Sequence, residues 1–317
     1  MQGVILAAGK GSRLHPITLE RSKGMLPILG KPIVARVMEL LVENGIRDFI
    51  LVVSPDDRDI LRYFYRESTL DVDVRFVYQL ERKGMANALT AAAPLITEDF
   101  VLSACDNLVP TADVGRLVAK MQSEDHPNGV LTLLPVEPDR IGSVGIVEMD
   151  GPWVRRIIEK PKPEDAPSDI SSLPLYAFSR RILDYLPEVP LSPRGEYELQ
   201  DAIQMLIERD GCVGGVIIDR RLTLTNAADL LALNREYLIR GGDHPQLAPN
   251  TVGPNTRLVT PLHIEQGTVI GRDCSIGPNV YIERDCRLDD GVTVRDAVIL
   301  RGAQVAPGTV IENEVVA

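Results

Sequence analysis

Residues 4–27 have the sequence VILAAGKGSRLHPITLERSKGMLP, in which an apolar run ends in glycines and basic residues follow. The first part, GVILAA, has the composition of a buried strand. Gly9 and Gly11 lack the Cβ atoms that would keep backbone N–H groups away from a ligand, and such amides suit an anion. Arg13 and Lys23 add positive charge. The stretch therefore predicts a strand that ends in an anion-binding turn.

This turn lacks features of the two commonest glycine-rich phosphate loops. Leu14 stands where a dinucleotide fingerprint needs its third glycine, and the Gly-Lys-Ser/Thr ending of a nucleotide P-loop is missing. Two glycines alone are also compatible with an ordinary tight turn. The identity of the anion must therefore come from the rest of the chain.

Apolar runs alternate with helical patterns along the first part of the chain. DFILVVS (48–54), VRFVYQ (74–79) and FVLSAC (100–105) are strand candidates. KPIVARVMELLVENG predicts a helix with Pro32 in its first turn and Gly45 at its end. This alternation predicts an α/β fold with a doubly wound, mixed but mostly parallel, Rossmann-like sheet. Ligands of such sheets lie beyond the carboxyl ends of the strands.

The middle of the chain combines strand pairs with isolated helices. GIVEMDGPWVRRIIEK predicts a hairpin that turns at Asp150–Gly151. YELQDAIQMLIERDG predicts a helix that ends at Gly211, and NAADLLALNREYLI predicts another. We expect residues 129–225 to form the second wall of a ligand cleft.

Apolar residues recur every six positions in the C-terminal part of the chain. A six-residue period predicts a parallel β-helix, because each repeat forms one short side of a triangular coil. The register slips after Leu300 and restarts at Val305 and Ile311. We expect a first domain over residues 1–240 and a short left-handed parallel β-helix over 251–317. The regular series is Val252, Leu258, Ile264, Ile270, Ile276, Ile282, Leu288, Val294 and Leu300.

The composition excludes several classes of protein. The 317 residues are 44% hydrophobic and 25% charged, which is typical of globular proteins. The net charge of −11 argues against nucleic acid as a partner. No window approaches the roughly 20 apolar residues that cross a membrane, and a signal peptide is not evident. The four cysteines lack zinc-ligand spacing. We expect a cytoplasmic protein without membrane or nucleic-acid partners.

The motifs resemble those of the sugar-1-phosphate nucleotidylyltransferases. LAAGKGSRLHPIT, then SK, MLP and GKP, is similar to the family signature LAAGxGxRLxPxT, PK, LP and KP. GMANA, CDN, GIVEMD, EKP, RGEYELQDAI and DLLALN follow in the family's order. The resemblance implies that residues 1–240 are a catalytic domain of the glucose-1-phosphate thymidylyltransferase or uridylyltransferase type. A sugar 1-phosphate would attack the α-phosphorus of an NTP in line, giving NDP-sugar and pyrophosphate.

The resemblance also implies roles for individual residues. Arg13 would meet the departing pyrophosphate, and Lys23 the α-phosphate. Asp106 would be a catalytic carboxylate that holds Mg²⁺, the expected cofactor. Gln79 and Gly84 would contact the base, where a glutamine amide suits uracil or thymine and so favours UTP or dTTP. The full nucleotide-binding set is Leu6, Ala8, Gly9, Gly11, Gln79 and Gly84.

The sugar-phosphate side and the second metal ligand follow from the same resemblance. The residues implied to bind the sugar phosphate, with glucose 1-phosphate favoured, are Gly145, Glu159, Lys160, Tyr176 and Arg194. Many relatives have a second metal-binding aspartate where this chain has Thr223. Asp219, four residues earlier, is the alternative metal ligand.

Departures from the family pattern leave alternatives open. Ser22 replaces a proline, which predicts a more mobile Lys23; Cys105 and Pro174 replace glycines. A mannose-1-phosphate guanylyltransferase and a regulatory homologue that binds sugar nucleotides without turnover are both compatible with the motifs. An acetyltransferase activity of the β-helix has His263 as its single histidine candidate. We expect instead that the β-helix assembles the chain into a homo-oligomer.

Overall fold

The computed structural model describes residues 1–241, 246–247 and 251–317. Most of RGGDHPQLAPN, residues 240–250, which separates the two predicted domains, lies outside the described residues. The chain forms two compact units. The first comprises Met1–Lys10 and Val34–Arg221, and the second comprises Gly11–Ile33 and Leu222–Ala317. The predicted division into residues 1–240 and 251–317 stays a prediction.

The elements are numbered here in chain order. The α-helices are α1 Ile33–Val42, α2 Arg58–Arg66, α3 Met85–Ala92, α4 Thr111–Met121, α5 Ile182–Tyr185, α6 Leu199–Arg209 and α7 Ala227–Arg240. The strands up to residue 223 are β1 Gln2–Leu6, β2 Pro27–Ile28, β3 Lys31–Pro32, β4 Asp48–Val53, β5 Asp73–Tyr78, β6 Phe100–Ala104, β7 Asn107–Leu108, β8 Gly129–Pro135, β9 Gly145–Asp150, β10 Trp153–Glu159, β11 Ile170–Phe178, β12 Val213–Ile217 and β13 Leu222–Thr223. The later strands are β14 Gln246–Leu247, β15 Thr251–Val252, β16 Arg257–Leu258, β17 Leu262–Ile264, β18 Val269–Ile270, β19 Ser275–Ile276, β20 Val280–Ile282, β21 Arg287–Leu288, β22 Thr293–Arg295, β23 Ala297–Ile299, β24 Gln304–Val305, β25 Val310–Glu312 and β26 Val315–Val316.

The first unit contains one mixed sheet of nine strands in the order β5-β4-β1-β6-β11-β8-β12-β10-β9. β5, β4, β1 and β6 are mutually parallel. β11 is antiparallel to both β6 and β8, and β12 is parallel to β8. β10 is antiparallel to both β12 and β9. Seven strands (β1, β4, β5, β6, β8, β9 and β12) therefore point the same way, and the carboxyl ends of β1, β4, β5 and β6 lie along one edge. The predicted doubly wound, mostly parallel α/β sheet is confirmed.

The strand order reverses at β1. The chain runs outward from β1 to β4 and β5, then returns to place β6 on the other side of β1. In open α/β sheets such a reversal opens a crevice beside the strand ends, where ligands bind. Packing fixes this arrangement, because apolar side chains of the sheet and of α3 and α6 form one buried cluster. It includes Val4, Ile50, Leu89, Leu102, Leu131 and Ile203.

Two predicted element ends differ by a residue or two from the structure. Pro32 belongs to β3, and α1 begins at the next residue, so Pro32 precedes the helix. The hairpin of β9 and β10 pairs Asp150 with Trp153, so its two-residue loop is Gly151–Pro152. The turn lies at Gly151 because its φ of 56° is a conformation that glycine adopts without strain. The helix predicted to end at Gly211 is α6, which ends at Arg209.

The second unit contains the predicted parallel β-helix. Its strands stack in three parallel sheets, β14-β17-β20-β23-β26, β15-β18-β21-β24 and β16-β19-β22-β25. Ile264 pairs with Ile282, 18 residues on, whereas Ile282 pairs with Ile299, 17 residues on. Ile299 therefore takes the inward position predicted for Leu300. The slip lies one residue earlier than predicted, because adjacent apolar residues made either register possible.

No helix within the described ranges is long and apolar enough to cross a membrane.

The β-helix core gives a test of the register. Val294 is fully buried and Val310 is 67% exposed, although both lie on paired strands of one face. We expect Val294→Ala to lower the free energy of unfolding by about 2 kcal/mol, because it removes two buried methyl groups and leaves a cavity. Val310→Ala should change it by less than about 0.5 kcal/mol. Urea unfolding followed by circular dichroism measures both; equal effects would contradict the register.

Candidate active site

The carboxyl edge of the first unit's sheet carries the predicted nucleotide residues of that unit. β1 ends at Leu6, Ala8 is buried, and Gly9 is exposed with no atom within 4 Å of the Cβ position. The neighbouring strand β6 ends at Ala104, and the Cys105 amide donates to the Leu6 carbonyl at 3.1 Å. These residues therefore lie at the reversal point of the strand order. A backbone without side chains at Gly9 leaves room for a ligand there.

Asp106 lies in the turn between β6 and β7, and its side chain is half-buried. Asp219 is exposed and follows β12, which is separated from β6 by β11 and β8. Across the described residues, no three His, Cys, Asp or Glu side chains form a group that could hold a metal ion. A single carboxylate at a strand end still fits Mg²⁺, which binds proteins through one or two carboxylates and completes its shell with water and phosphate.

Gln79 and Gly84 lie together after β5. The Gln79 side-chain nitrogen donates to the Gly84 carbonyl at 3.1 Å and to Asn87 Oδ1 at 2.8 Å. Gly84 is the N-cap residue of α3, with φ 93°, and a Cβ there would lie 2.6 Å from the Tyr197 carbonyl oxygen, so only glycine fits. Because both donor bonds of the amide go to the protein, Gln79 Oε1 is the end of the amide that can accept from a ligand.

Gly145 and Glu159 are direct partners across the antiparallel β9–β10 pair. A Cβ at Gly145 would lie 3.1 Å from Glu159 Oε2 and 3.4 Å from Gln200 Cγ, so the glycine makes room for the carboxylate. The Glu159 side chain is only 12% exposed. Within the described part of the chain, its buried Oε2 has no hydrogen-bond partner. A buried carboxylate oxygen without a donor is unusual, which indicates a place for a ligand's donor.

Two cations converge on this carboxylate. Lys160 Nζ lies 3.0 Å from Glu159 Oε1, and Arg194 Nη2 lies 3.5 Å from the same atom. Arg194 Nη2 also pairs with Glu198 Oε1 at 2.8 Å. Lys160 and Arg194 are partly exposed, at 35% and 40%, whereas both glutamates are nearly buried. The cluster thus presents positive charge to solvent above buried carboxylates, as a phosphate-binding surface would.

Burial raises the pKa of Glu159, and the nearby Glu198 charge raises it further. The hydrogen bond from Lys160, its positive charge and that of Arg194 lower the pKa, but burial is the largest effect. The folded protein therefore disfavours the Glu159 carboxylate relative to the unfolded chain. A group kept at a cost to stability is a candidate for function.

Tyr176 is fully buried in β11, and its hydroxyl forms a 2.7 Å hydrogen bond with Ser172 Oγ. Desolvation raises its pKa strongly. Pro174 lies in a β-bulge of β11, where the β8 pairing shifts between Leu173 and Tyr176. Proline cannot donate to a ladder, so a bulge is where it is tolerated. The predicted contact of Tyr176 with the sugar stays a prediction; in this structure its side chain lies beneath the surface.

The remaining predicted residues belong to the second unit. Gly11 has φ 63°, accepts a 2.8 Å hydrogen bond from the Thr18 hydroxyl at its carbonyl, and would place a Cβ 3.1 Å from Lys23 Cβ. Arg13 is exposed on a 3-10 helix, Ser12–Leu14, whose Leu14 is buried. Ser22 has φ −63°, the value a proline would impose, so it keeps that conformation without the ring. Thr223 is half-buried in β13.

Some residues of the site were not predicted from the sequence. Glu198 and Gln200 approach the Gly145–Glu159 pair through Arg194 and through direct packing. Asn87 orients the Gln79 amide. The motif RGEYELQDAI contains Glu198 and Gln200, but the sequence of the motif does not show which of its side chains face the Glu159 cluster.

The buried carboxylate predicts a specific pH dependence of stability. Because folding raises the Glu159 pKa from its ordinary value of 4.5, the folded state binds its proton more readily. Glu159 therefore lowers stability as pH rises from about 4.5 through the raised value. We expect Glu159→Gln to remove this loss, so that its Tm at pH 7.5 is at least that of wild type. Glu148→Gln, on the exposed face of the same hairpin, should leave Tm unchanged. Scanning calorimetry between pH 4.5 and 7.5 would contradict the account if Glu159→Gln were the less stable protein at neutral pH.

Models of known protein families match both the N-terminal and the C-terminal part of this chain. The family described as nucleotidyl transferase matches residues 2–219, and the family described as GMPPB C-terminal domain matches residues 258–317. The UTP–glucose-1-phosphate uridylyltransferase AglF of Haloferax volcanii is 35% identical over 220 residues, covering 69% of this chain and 88% of that protein. A glucose-1-phosphate thymidylyltransferase of Streptomyces griseus is 28% identical and covers 96% of this chain and 89% of that protein.

Solved structures support the fold. A UDP-glucose pyrophosphorylase complexed with UDP-glucose superposes with a TM-score of 0.68 at 21% identity, covering 75% of this chain and 98% of that one. At this identity the likeness concerns the fold alone. The family match spans more than half of the chain and agrees with the α/β sheet described above. The resemblance seen in the motifs is therefore confirmed: this chain belongs to the nucleotidyl transferase family.

Proposed function

We propose that this protein transfers a nucleotidyl group from UTP or dTTP to a sugar 1-phosphate, with glucose 1-phosphate favoured, and releases pyrophosphate. The observation that carries the proposal is the Gly145–Glu159–Arg194 cluster in a chain of this family. A buried carboxylate under two partly exposed cations suits a molecule that bears both hydroxyl and phosphate groups. Relatives named as glucose-1-phosphate uridylyltransferase and thymidylyltransferase support the choice of substrates.

The Gln79–Gly84 pair accounts for the preference for a pyrimidine. Uracil and thymine present one N–H donor between two carbonyl acceptors. Gln79 Oε1 would accept from that N–H, since the amide nitrogen is held by Gly84 and Asn87. Cytosine lacks this donor and would lose the bond. A guanine N–H could also reach such an acceptor, so the guanylyltransferase alternative has to be separated by experiment.

The phosphates would be bound by backbone amides and cations. Gly9 and Gly11 would leave their amides accessible, Arg13 would stabilise the departing pyrophosphate, and Lys23 would neutralise charge at the α-phosphate. Enzymes of this family generally use a divalent metal, and Asp106 would hold Mg²⁺. The ion would supply positive charge to the phosphate oxygens. Catalysis would then rest on positioning and charge neutralisation rather than on a covalent intermediate.

The sugar 1-phosphate would bind at the Glu159 cluster. Its hydroxyl groups would donate to Glu159, whose Oε2 is buried without a partner in the described chain. Its phosphate would pair with Lys160 and Arg194, which are the exposed cations of the cluster.

The function is tested by a substrate panel. UTP, dTTP, GTP and ATP are each combined with the 1-phosphates of glucose, galactose, mannose and N-acetylglucosamine, and pyrophosphate release is measured. We expect the highest kcat/KM with UTP or dTTP and glucose 1-phosphate. A preference for GTP with mannose 1-phosphate would support the guanylyltransferase instead. No release with any pair, in protein that binds a sugar nucleotide, would favour the regulatory homologue.

Asp106 and Lys23 provide the sharpest test of the assigned roles. We expect Asp106→Asn or Lys23→Ala to lower kcat by about 10²-fold or more, since each removes charge that stabilises the transition state. Asp99→Asn is the matched control, because Asp99 is exposed at the amino end of the same strand β6. Circular dichroism should show all three variants folded. Near-normal turnover of Asp106→Asn or Lys23→Ala would contradict the assignment.

Two further expectations accompany this function. We propose that the β-helix joins copies of the chain into a homo-oligomer, because Val269 is 38% exposed and Val252 is 41% exposed although it pairs with the buried Ile270. His263 packs against Tyr281, with ring centroids 5.6 Å apart, which favours a structural role over that of an acetyltransferase base. The cytoplasmic location stays a prediction.

A further inference from the structure

The segment Gly11–Ile33 carries Arg13 and Lys23 and belongs to the same compact unit as the β-helix. It has little regular structure of its own, with three 3-10 helices of three residues each and the short strands β2 and β3. Such a segment has few internal backbone hydrogen bonds to hold its shape. Its geometry must therefore come from side chains that anchor it to neighbouring elements of the second unit.

The strongest anchor is a buried ion pair between Arg21 and Glu283. Arg21 Nη1 lies 2.9 Å from Glu283 Oε2, and the two side chains are only 8% and 10% exposed. The same carboxylate oxygen accepts from the Arg301 amide at 2.8 Å, which fixes its position on the β-helix. The pair joins residues 262 positions apart in sequence. Glu283 directly follows β20, so the segment is tied to the body of the coil.

A second set of anchors holds the β2–β3 hairpin. Leu29 and Gly30 form the turn of this hairpin and both have positive φ, at 43° and 75°. Their backbone amides donate hydrogen bonds to side chains outside the hairpin. Leu29 donates to Asn234 Oδ1 of α7 at 2.9 Å, and Gly30 donates to the Tyr281 hydroxyl at 3.2 Å. Tyr281 is fully buried and donates in turn to Glu265. The stretch that contains Lys23 is thus anchored on one side at Arg21 and on the other side at Leu29 and Gly30.

We propose that Arg21, Glu283 and Tyr281 are positioning residues for nucleotidyl transfer, and that the β-helix is the support that holds the segment carrying Arg13 and Lys23. Lys23 lies two positions after Arg21, a span of at most about 7 Å. A change in the anchor therefore reaches Lys23 directly. The inference rests on the proposed role of Lys23 at the α-phosphate, where a displacement of about 1 Å lowers the rate steeply.

Stability alone does not explain a buried pair of this kind. Replacing both partners of a buried ion pair by neutral groups is often neutral for stability, whereas removing one partner leaves an unpaired buried charge. The informative variant is therefore the double substitution Arg21→Met with Glu283→Gln, in which the oxygen of the introduced side-chain amide can still accept from the Arg301 backbone amide. A matched control is Glu312→Gln, which removes the exposed Arg295–Glu312 ion pair elsewhere on the β-helix.

The test measures kinetics and amide hydrogen exchange on the full chain. We expect the double variant to lower kcat about tenfold or more, while KM for the sugar 1-phosphate changes less than about twofold. Exchange of peptides within residues 11–26 should become about tenfold faster, with the β-helix strands unchanged. Tyr281→Phe should speed exchange of peptides that contain Gly30 and lower kcat by a smaller factor. Glu312→Gln should match wild type in every measurement.

The outcomes separate this inference from the proposed function. Wild-type kcat and exchange in the folded double variant would overturn the positioning role, as would faster exchange throughout the coil together with a parallel rise in the sugar KM. If the double variant fails to fold, Tyr281→Phe decides by the same criteria. If wild type turns over none of the substrate pairs, the proposed function fails, and the exchange of residues 11–26 alone decides whether the β-helix holds the segment.

Discussion

The common direction of seven strands in the nine-stranded sheet is the constraint on which the candidate site of the first unit depends. Parallel strands bring their carboxyl ends to one edge, so residues far apart in sequence become neighbours there. Ala8 and Gly9 follow β1, Gln79 follows β5, and Asp106 follows β6. No local contact along the chain brings these residues together. The apolar core that fixes strand order, with Val4 and Leu102 in one buried cluster, is what assembles them.

The Glu159 cluster, which we propose binds the sugar 1-phosphate, shows a conflict between stability and this proposed role. Glu159 is buried beside Gly145 with one oxygen unpartnered in the described chain, and burial raises its pKa. A glutamine would be easier to bury. The carboxylate is a stronger acceptor for hydroxyl donors, and the two cations beside it offer charge to a phosphate. The proposed binding role would explain why the fold tolerates the charge.

Sequence patterns predicted the strands well, because buried parallel strands need continuous apolar runs with turn residues after them. They also predicted the β-helix, whose six-residue period has few other structural causes. The register error at Leu300 arose because Ile299 is equally apolar. The Arg21–Glu283 pair could not be predicted, since 262 residues separate its partners and neither lies in a distinctive motif. Likewise, motif letters gave no sign that Asn87 orients Gln79 or that Tyr176 is buried.

The central proposal is that a nucleoside triphosphate binds along the carboxyl edge of the sheet, and the family match and the strand-end geometry support it. A crystal structure of the full chain with Mg²⁺ and a non-hydrolysable UTP analogue tests it most directly. The account predicts a metal ion on the Asp106 carboxylate at about 2.1 Å and the uracil N–H within hydrogen-bond distance of Gln79 Oε1. A nucleotide bound at the opposite edge of the sheet, or a metal ion that Asp106 does not touch, would contradict the account.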